Sequence, residues 1–221
     1  MSTRTTDYRE AIEHLPAGAI LVFHEVSWED YEQLLDDLRD HPGVRLTFDQ
    51  GRLEIMSPLP EHEEYKEFIA RLVYVLCDEL GLKVEPRGSA TWRKKRDAKG
   101  TEPDTCFYIA NAGQIIGKRR IDLNVDPPPD IVVEIDTTNE SSGKLPIYST
   151  FGVPEVWQYD GKRNNMVIYE LRDQSYAEVQ VSRSFPFLTG GVLAHSIEHS
   201  KTEGQDAALA AFRQWIRARN R

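Results

Sequence analysis

Glu134 and Asp136 stand at the end of the apolar run Asp130-Ile131-Val132-Val133, and Lys144 lies shortly beyond them. Another acid, Asp104, opens a second apolar segment, Thr105-Cys106-Phe107-Tyr108-Ile109. Carboxylates hold hard cations through oxygen, and a lysine can offset the charge that develops on a phosphate. Two acids and one lysine converging at strand ends is what metal-assisted phosphodiester cleavage needs. In an extended strand, residues two apart share a face. Glu134 and Asp136 therefore point to one side with Val132 behind them, and Ile131, Val133 and Ile135 point to the other. A buried carboxylate without a partner is costly, so these acids require a cation or a lysine beside them, and Lys144 is the candidate. The same three residues could also form a buried ion pair with no chemistry. Pro103-Asp104 alone is an ordinary turn dipeptide, and it gains weight from the apolar strand that follows it.

The elements that must position these residues can be read from spacing. Ser27 reads as an N-cap with Asp30 three residues on, followed by Trp28, Tyr31, Leu34, Leu35 and Leu38 at helical spacing and a stop at Pro42-Gly43. Arg45–Phe48 and Arg52–Met56 alternate on either side of Asp49-Gln50-Gly51, the pattern of a β-hairpin. A long helix follows Ser57-Pro58-Leu59-Pro60, with a broad apolar face through Tyr65, Phe68, Ile69, Leu72, Val73, Leu76 and Leu80, and Gly81 closes it. Leu82–Glu85 and Ser89–Arg93 read as strands, and Asn111–Arg120 as a short helix. Beyond the strand Asp130–Asp136, a helix start is expected over Asn139–Phe151, with Pro146 confined to its first turn. Strands over Glu155–Tyr159, Met166–Leu171 and Tyr176–Val181 and a C-terminal helix after Gly204 complete the chain. Strand, helix and strand from Asp130 to Tyr159 predict a βαβ unit with a parallel pair, and the hairpins at both ends make the sheet mixed.

The 221 residues carry a net charge of −9, with 40% hydrophobic and 29% charged residues, as in soluble globular domains. No apolar run is long enough for a membrane span, and Met1–Asp7 lacks the apolar core of a secretory leader. Cys77 and Cys106 cannot build a disulfide framework or a cysteine zinc site and read as core thiols, which places the chain in a reducing cytoplasm. The negative charge argues against tight non-specific wrapping of nucleic acid. It does not exclude a nuclease, since acids that hold a metal contribute to it. Arg93, Lys94, Lys95, Arg96 and Lys99, then Lys118, Arg119 and Arg120, form two basic clusters, each also readable as a solvated loop. No repeat or linker divides the chain, which reads as one domain over 1–221.

The stretch from about Val26 to Phe187 resembles the Uma-type family of restriction-endonuclease-like proteins, a branch of the PD-(D/E)XK nuclease superfamily. The resemblance is carried by Met56-Ser57-Pro58 with His62, by Glu102-Pro103-Asp104, and by Pro128-Pro129-Asp130-Ile131-Val132-Val133-Glu134-Ile135-Asp136. It continues through Lys144-Leu145-Pro146-Ile147-Tyr148 and Gly152-Val153-Pro154-Glu155-Val156-Trp157. It implies an α+β fold, a restriction-endonuclease-like mixed β-sheet flanked by helices. The core would run over about 26–187, with an N-terminal extension over 1–25 and a C-terminal helix over about 204–219. It also implies a DNA substrate and magnesium (or manganese) as cofactor. Asp104 and Glu134 would hold the metal, with the backbone carbonyl of Ile135 completing its shell. The superfamily places its lysine two residues after the second acid, where this chain has Asp136, and Lys144 would take that role from the following helix. Asp136 would then ligate a second metal or orient Lys144. Gln158 stands where many relatives carry arginine.

On this reading the protein is a metal-dependent endodeoxyribonuclease, and a homodimer would bring two sites to two strands. Lys144→Ala is expected to abolish turnover and leave folding largely intact. His62 could approach the metal site or a phosphate, or simply hold the helix start, where Glu63, Glu64 and Glu67 suit the helix dipole. Two other classes stay open. One is a catalytically idle DNA-binding or regulatory module on the same fold. The other is a zinc peptidase built on His195-Ser196-Ile197-Glu198-His199, which lacks a clear third ligand.

Overall fold

The computed structural model describes Tyr8 and residues 11–38, 43–137 and 141–219. The N-terminal Met1–Asp7, and Pro42 and Asn139 among the boundaries read from sequence, lie outside these residues. The chain divides into two compact units, Met1–Pro60 with Thr91–Glu102 and Glu61–Ala90 with Pro103–Arg221.

The first unit holds a five-stranded antiparallel sheet packed against a helix over Trp28–Asp37. Its strands are β1 (Ile20–Phe23), β2 (Arg45–Asp49), β3 (Arg52–Met56), β5 (Trp92–Lys94) and β6 (Lys99–Thr101), in the order β1-β3-β2-β6-β5. The β2–β3 hairpin turns at Gln50 and Gly51, both with positive φ, the backbone that two-residue hairpin turns require. Helix α1 (Trp28–Asp37) begins as its sequence dictates, with the Ser27 side chain accepting from the Asp30 amide at 3.0 Å. Its apolar stripe joins Leu46, Phe48, Leu53 and Ile55 in one core, where Tyr31 stacks on Phe48 at 4.8 Å. Gly100 lies under Tyr31 so closely that a Cβ there would land on the phenol oxygen.

The second unit is a six-stranded mixed sheet in the order β11-β10-β9-β8-β7-β4. Its strands are β4 (Glu85–Pro86), β7 (Thr105–Tyr108), β8 (Ile131–Asp136), β9 (Glu155–Asp160), β10 (Asn165–Arg172) and β11 (Ser175–Val179). Only β8 and β9 run parallel, joined through a 3-10 turn (Ser141–Lys144) and helix α4 (Leu145–Phe151), the expected βαβ unit. Pro146 falls in the first turn of α4, where its missing N–H costs nothing. Ile131, Val133 and Ile135 face one core with helix α2 (Pro60–Leu80), helix α5 (Gly190–Glu203) and helix α6 (Gln205–Arg217). The short helix α3 (Ala112–Ile115) follows β7.

Three expectations change. The N-terminal hairpin belongs to the separate antiparallel sheet, so of the two hairpins expected in the mixed sheet only the C-terminal one, β10–β11, joins the parallel β8–β9 pair there. Leu82–Glu85 reduces to the two-residue β4, because β4 pairs with β7 only through Glu85 and Pro86. Ser89–Arg93 shifts to Trp92–Lys94. Both cysteines are buried thiols outside any disulfide among the described residues, and burial pushes the Cys77 thiol up to about 12, which keeps it a protonated core residue. Val156 and Trp157 are core residues, so neither forms an exposed interface. Among the described residues no helix is long and apolar enough to cross a membrane.

One polar feature of this sheet was not read from sequence. Glu155, fully buried at the start of β9, accepts from the Trp157 indole, from Ser182 Oγ at 2.7 Å, and from the Arg183 and Ser184 amides at 2.7 and 3.1 Å. It pins the 182–184 segment to the strand. Glu155→Ala leaves these donors unpaired in the interior and should lower unfolding free energy by about 3 kcal/mol, read as a fall in the urea midpoint.

Candidate active site

The strands place the site by register. Thr105 pairs with Val133 in the antiparallel β7–β8 ladder, so Asp104 stands opposite Glu134. Continuing that register sets Pro103 against Ile135, and proline has no N–H to donate. The Asp104 side chain fills the gap, accepting from the Ile135 amide at 2.7 Å through Oδ2. N–H and C=O of one strand residue point to the same side. The Ile135 carbonyl therefore faces the Asp104 edge, beyond the last ladder pair. Pro103-Asp104 thus does two things at once: it ends the ladder and places a carboxylate beside a carbonyl that has lost its ladder donor.

Glu134 and Asp136 share the face that Ile131, Val133 and Ile135 do not, as the alternation predicts. The α4 segment covers this face. Lys144, its N-cap residue, donates to Glu134 Oε2 at 2.8 Å, and Tyr148, one turn on, donates to Glu134 Oε1. Asp136 Oδ2 accepts from Gln158 Nε2 at 2.5 Å, so the glutamine at that position steadies an acid. The turn after β9 closes over the strand end, with the Gly161 amide donating to the Asp136 carbonyl at 2.8 Å. Asp104, Glu134, Asp136, Lys144 and His62 are each no more than 8% exposed.

Charge in this enclosure is strained. Burial pushes the Glu134 carboxyl up to about 7; Lys144 pulls it back, and the charge of Asp104 pushes it further up. His62, in the first turn of α2, feels the same field. Burial lowers its pKa, Asp104 and Asp136 oppose the fall, and Lys144 adds to it. Among the described residues His62 Nδ1 is buried with no hydrogen-bond partner. The structure therefore gathers Asp104, Glu134, Asp136, Lys144 and His62 into one electrostatic unit. Tyr148 belongs with them and was missed as a site residue, since an aromatic at helical spacing reads as core. Its position one turn after Lys144 was the available signal.

The donor set suits a hard cation: two carboxylates that repel one another and a peptide carbonyl, all oxygen. Even so, among the described residues no three His, Cys, Asp or Glu side chains already converge as a metal-binding group. Lys144 and Tyr148 each hold one oxygen of Glu134. Asp104 keeps Oδ1 beyond its bond to Ile135.

Other sequence features fall away from the site. Asp130 accepts from the Ile109 amide at 2.6 Å and the Asn111 amide at 3.1 Å, which makes it the clamp of the turn after β7. The loop carrying Lys118, Arg119 and Arg120 joins the C-terminal end of β7 to the N-terminal end of β8, opposite the end that carries Asp104 and Glu134. Lys118 is paired with Asp126. In the first unit, Arg93, Lys95 and Lys99 lie 3.9, 3.2 and 2.8 Å from Glu32, Glu29 and Asp49, so much of that basic cluster is neutralised. His195 and His199 do share a face of α5, with ring centroids 6.3 Å apart, and His199 faces Glu203 at 3.5 Å.

The buried pairing changes what Lys144→Ala should do. Stripping a partner from a buried ion pair costs about 3–5 kcal/mol, so that variant loses stability as well as charge. Asp104 offers a cleaner contrast. Asp104→Ala orphans the Ile135 amide and should cost about 1–3 kcal/mol in denaturant unfolding, whereas Asp104→Asn keeps an acceptor and should unfold close to wild type.

Comparison with known proteins follows this geometry. The crystal structure of "a putative nuclease belonging to DUF820 from Anabaena variabilis ATCC 29413" is similar, with 15% identity, 70% of this chain and 92% of that chain covered, and a TM-score of 0.48. No curated protein matches the chain. Residues 28–198 match the Uma2 family, described as "Putative restriction endonuclease", a span that includes His62, Asp104, Glu134, Asp136 and Lys144. The chain belongs to the Uma2 family.

Proposed function

We propose that this chain is a metal-dependent endodeoxyribonuclease of the PD-(D/E)XK type. The observation that carries the reading is the buried meeting of Asp104, Glu134 and Lys144 at one end of the β7–β8 ladder, beside a carbonyl that proline has stripped of its ladder donor. Asp104 Oδ1, Glu134 and the Ile135 carbonyl would hold Mg²⁺ or Mn²⁺. A bound cation would supply Lewis-acid polarisation of the scissile phosphate and a water of lowered pKa. The protein's own part is placement and charge. Asp104, tied to the Ile135 amide, keeps its free oxygen at a fixed position on the strand edge. Lys144 offsets negative charge on the phosphate as it builds in the transition state. His62, with its free Nδ1, is the group at this site suited to take or give a proton. Asp136, held by Gln158, keeps negative charge beside His62 and thereby its basicity.

The substrate reading is DNA, as the family description suggests, and two copies of the chain would serve two strands. A second reading also has an observation in its favour. Both Glu134 oxygens are occupied, as they would be in an idle module that binds DNA and cuts nothing.

Incubation of supercoiled and single-stranded DNA with Mg²⁺ or Mn²⁺ separates the two. Wild type should nick or linearise DNA only with the cation present. Glu134→Gln, which keeps the side-chain shape and removes its charge, and Lys144→Gln should each cut on the order of a hundredfold more slowly while still melting cooperatively. Intact DNA with the wild-type protein, under conditions where calorimetry registers cation binding, would favour the idle module.

A further inference from the structure

Glu134 is the acid on which the nuclease reading depends, and its two partners differ in kind. Tyr148 brings a hydroxyl dipole to Oε1, and Lys144 brings a full positive charge to Oε2. A cation on Glu134 is compatible with the tyrosine, because the two carboxylate oxygens accept independently. The ammonium is the partner that a cation on Oε2 would repel. Magnesium sits about 2.1 Å from its oxygen ligands. With Nζ at 2.8 Å from the same oxygen, two positive centres would lie a few ångströms apart. Both side chains are less than one-tenth exposed, so little water screens them. The backbone settings differ as well. Tyr148 stands inside α4, which fixes it, whereas Lys144 is the N-cap residue, carries a long flexible stem and ends the 3-10 turn.

We propose that Lys144 is a displaceable latch on Glu134: a divalent cation takes Oε2, Tyr148 keeps Oε1 and with it the orientation of the carboxylate, and the released ammonium becomes the group that faces the phosphate. The proposal rests on the metal-dependent reading of the site. It makes Tyr148 a positioning residue that acts through Glu134. It also explains how one lysine can satisfy a buried acid in the resting protein and serve the phosphate once a cation is bound. The proposed change is confined to the end of one long side chain.

Amine labelling of the wild-type chain, read residue by residue by mass spectrometry with and without Mg²⁺ and with no DNA present, tests the exchange directly. Calorimetry on the same samples reports whether the cation binds. Saturating Mg²⁺ should raise the labelling rate of Lys144 by about tenfold or more and leave the other lysines unchanged. Tyr148→Phe should weaken Mg²⁺ binding by roughly tenfold, as loss of a partner that orients a ligand does. Saturable binding with Lys144 labelling unchanged overturns the latch and leaves the metal reading standing. A rise across all lysines marks general loosening and overturns it too. Unchanged affinity in Tyr148→Phe removes the positioning role. No saturable binding at all overturns the metal reading, and the latch with it.

Discussion

A carboxylate buried at the end of a parallel strand is the constraint around which the second unit is arranged. Glu134 is 2% exposed, and an uncompensated charge there would not be tolerated. Two donors from one short segment meet that demand, Lys144 at the N-cap of α4 and Tyr148 one turn on. The position of α4 over the sheet follows from this as much as from its apolar residues. So does the crossover, since a βαβ connection returns the chain over the face that carries the acid. The compensation is incomplete: burial and the charge of Asp104 still hold the Glu134 carboxyl pKa raised, at about 7.

Much of this was legible in the sequence because it depends on period and punctuation. The alternation from Ile131 to Asp136 placed Glu134 and Asp136 on one face and the apolar residues on the other, and the sheet obeys it. Ser27 and Asp30 fixed the start of α1, and Pro146 fixed the first turn of α4. What was not legible depends on partners distant in sequence. Nothing local says that the β2–β3 hairpin pairs with β1 and β6 and so joins a different sheet. Glu155 reads as the first residue of a strand, and nothing local names Ser182, Arg183 and Ser184 as its donors. Tyr148 reads as a core aromatic, which it also is, and only the structure shows its hydroxyl on Glu134. Asp130, embedded in the most recognisable motif, turns out to clamp a turn.

If the chain acts on DNA as proposed, its own charge limits how it engages the phosphate backbone. The chain carries a net charge of −9, and much of its basic cluster at Arg93–Lys99 is matched by Glu29, Glu32 and Asp49. Counterion release from such a surface is small, so affinity for the phosphate backbone cannot come from wrapping alone. The other basic cluster, Lys118–Arg120, lies at the end of the β7–β8 ladder opposite the acids.

The proposed metal-dependent cleavage depends on where a cation binds. Crystals soaked in Mn²⁺, with the ion located by its anomalous scattering, test this most directly. A peak bounded by Asp104, Glu134 and the Ile135 carbonyl is expected. A protein that binds Mn²⁺ in solution but shows no density there, or shows it only between His195 and His199, would contradict it.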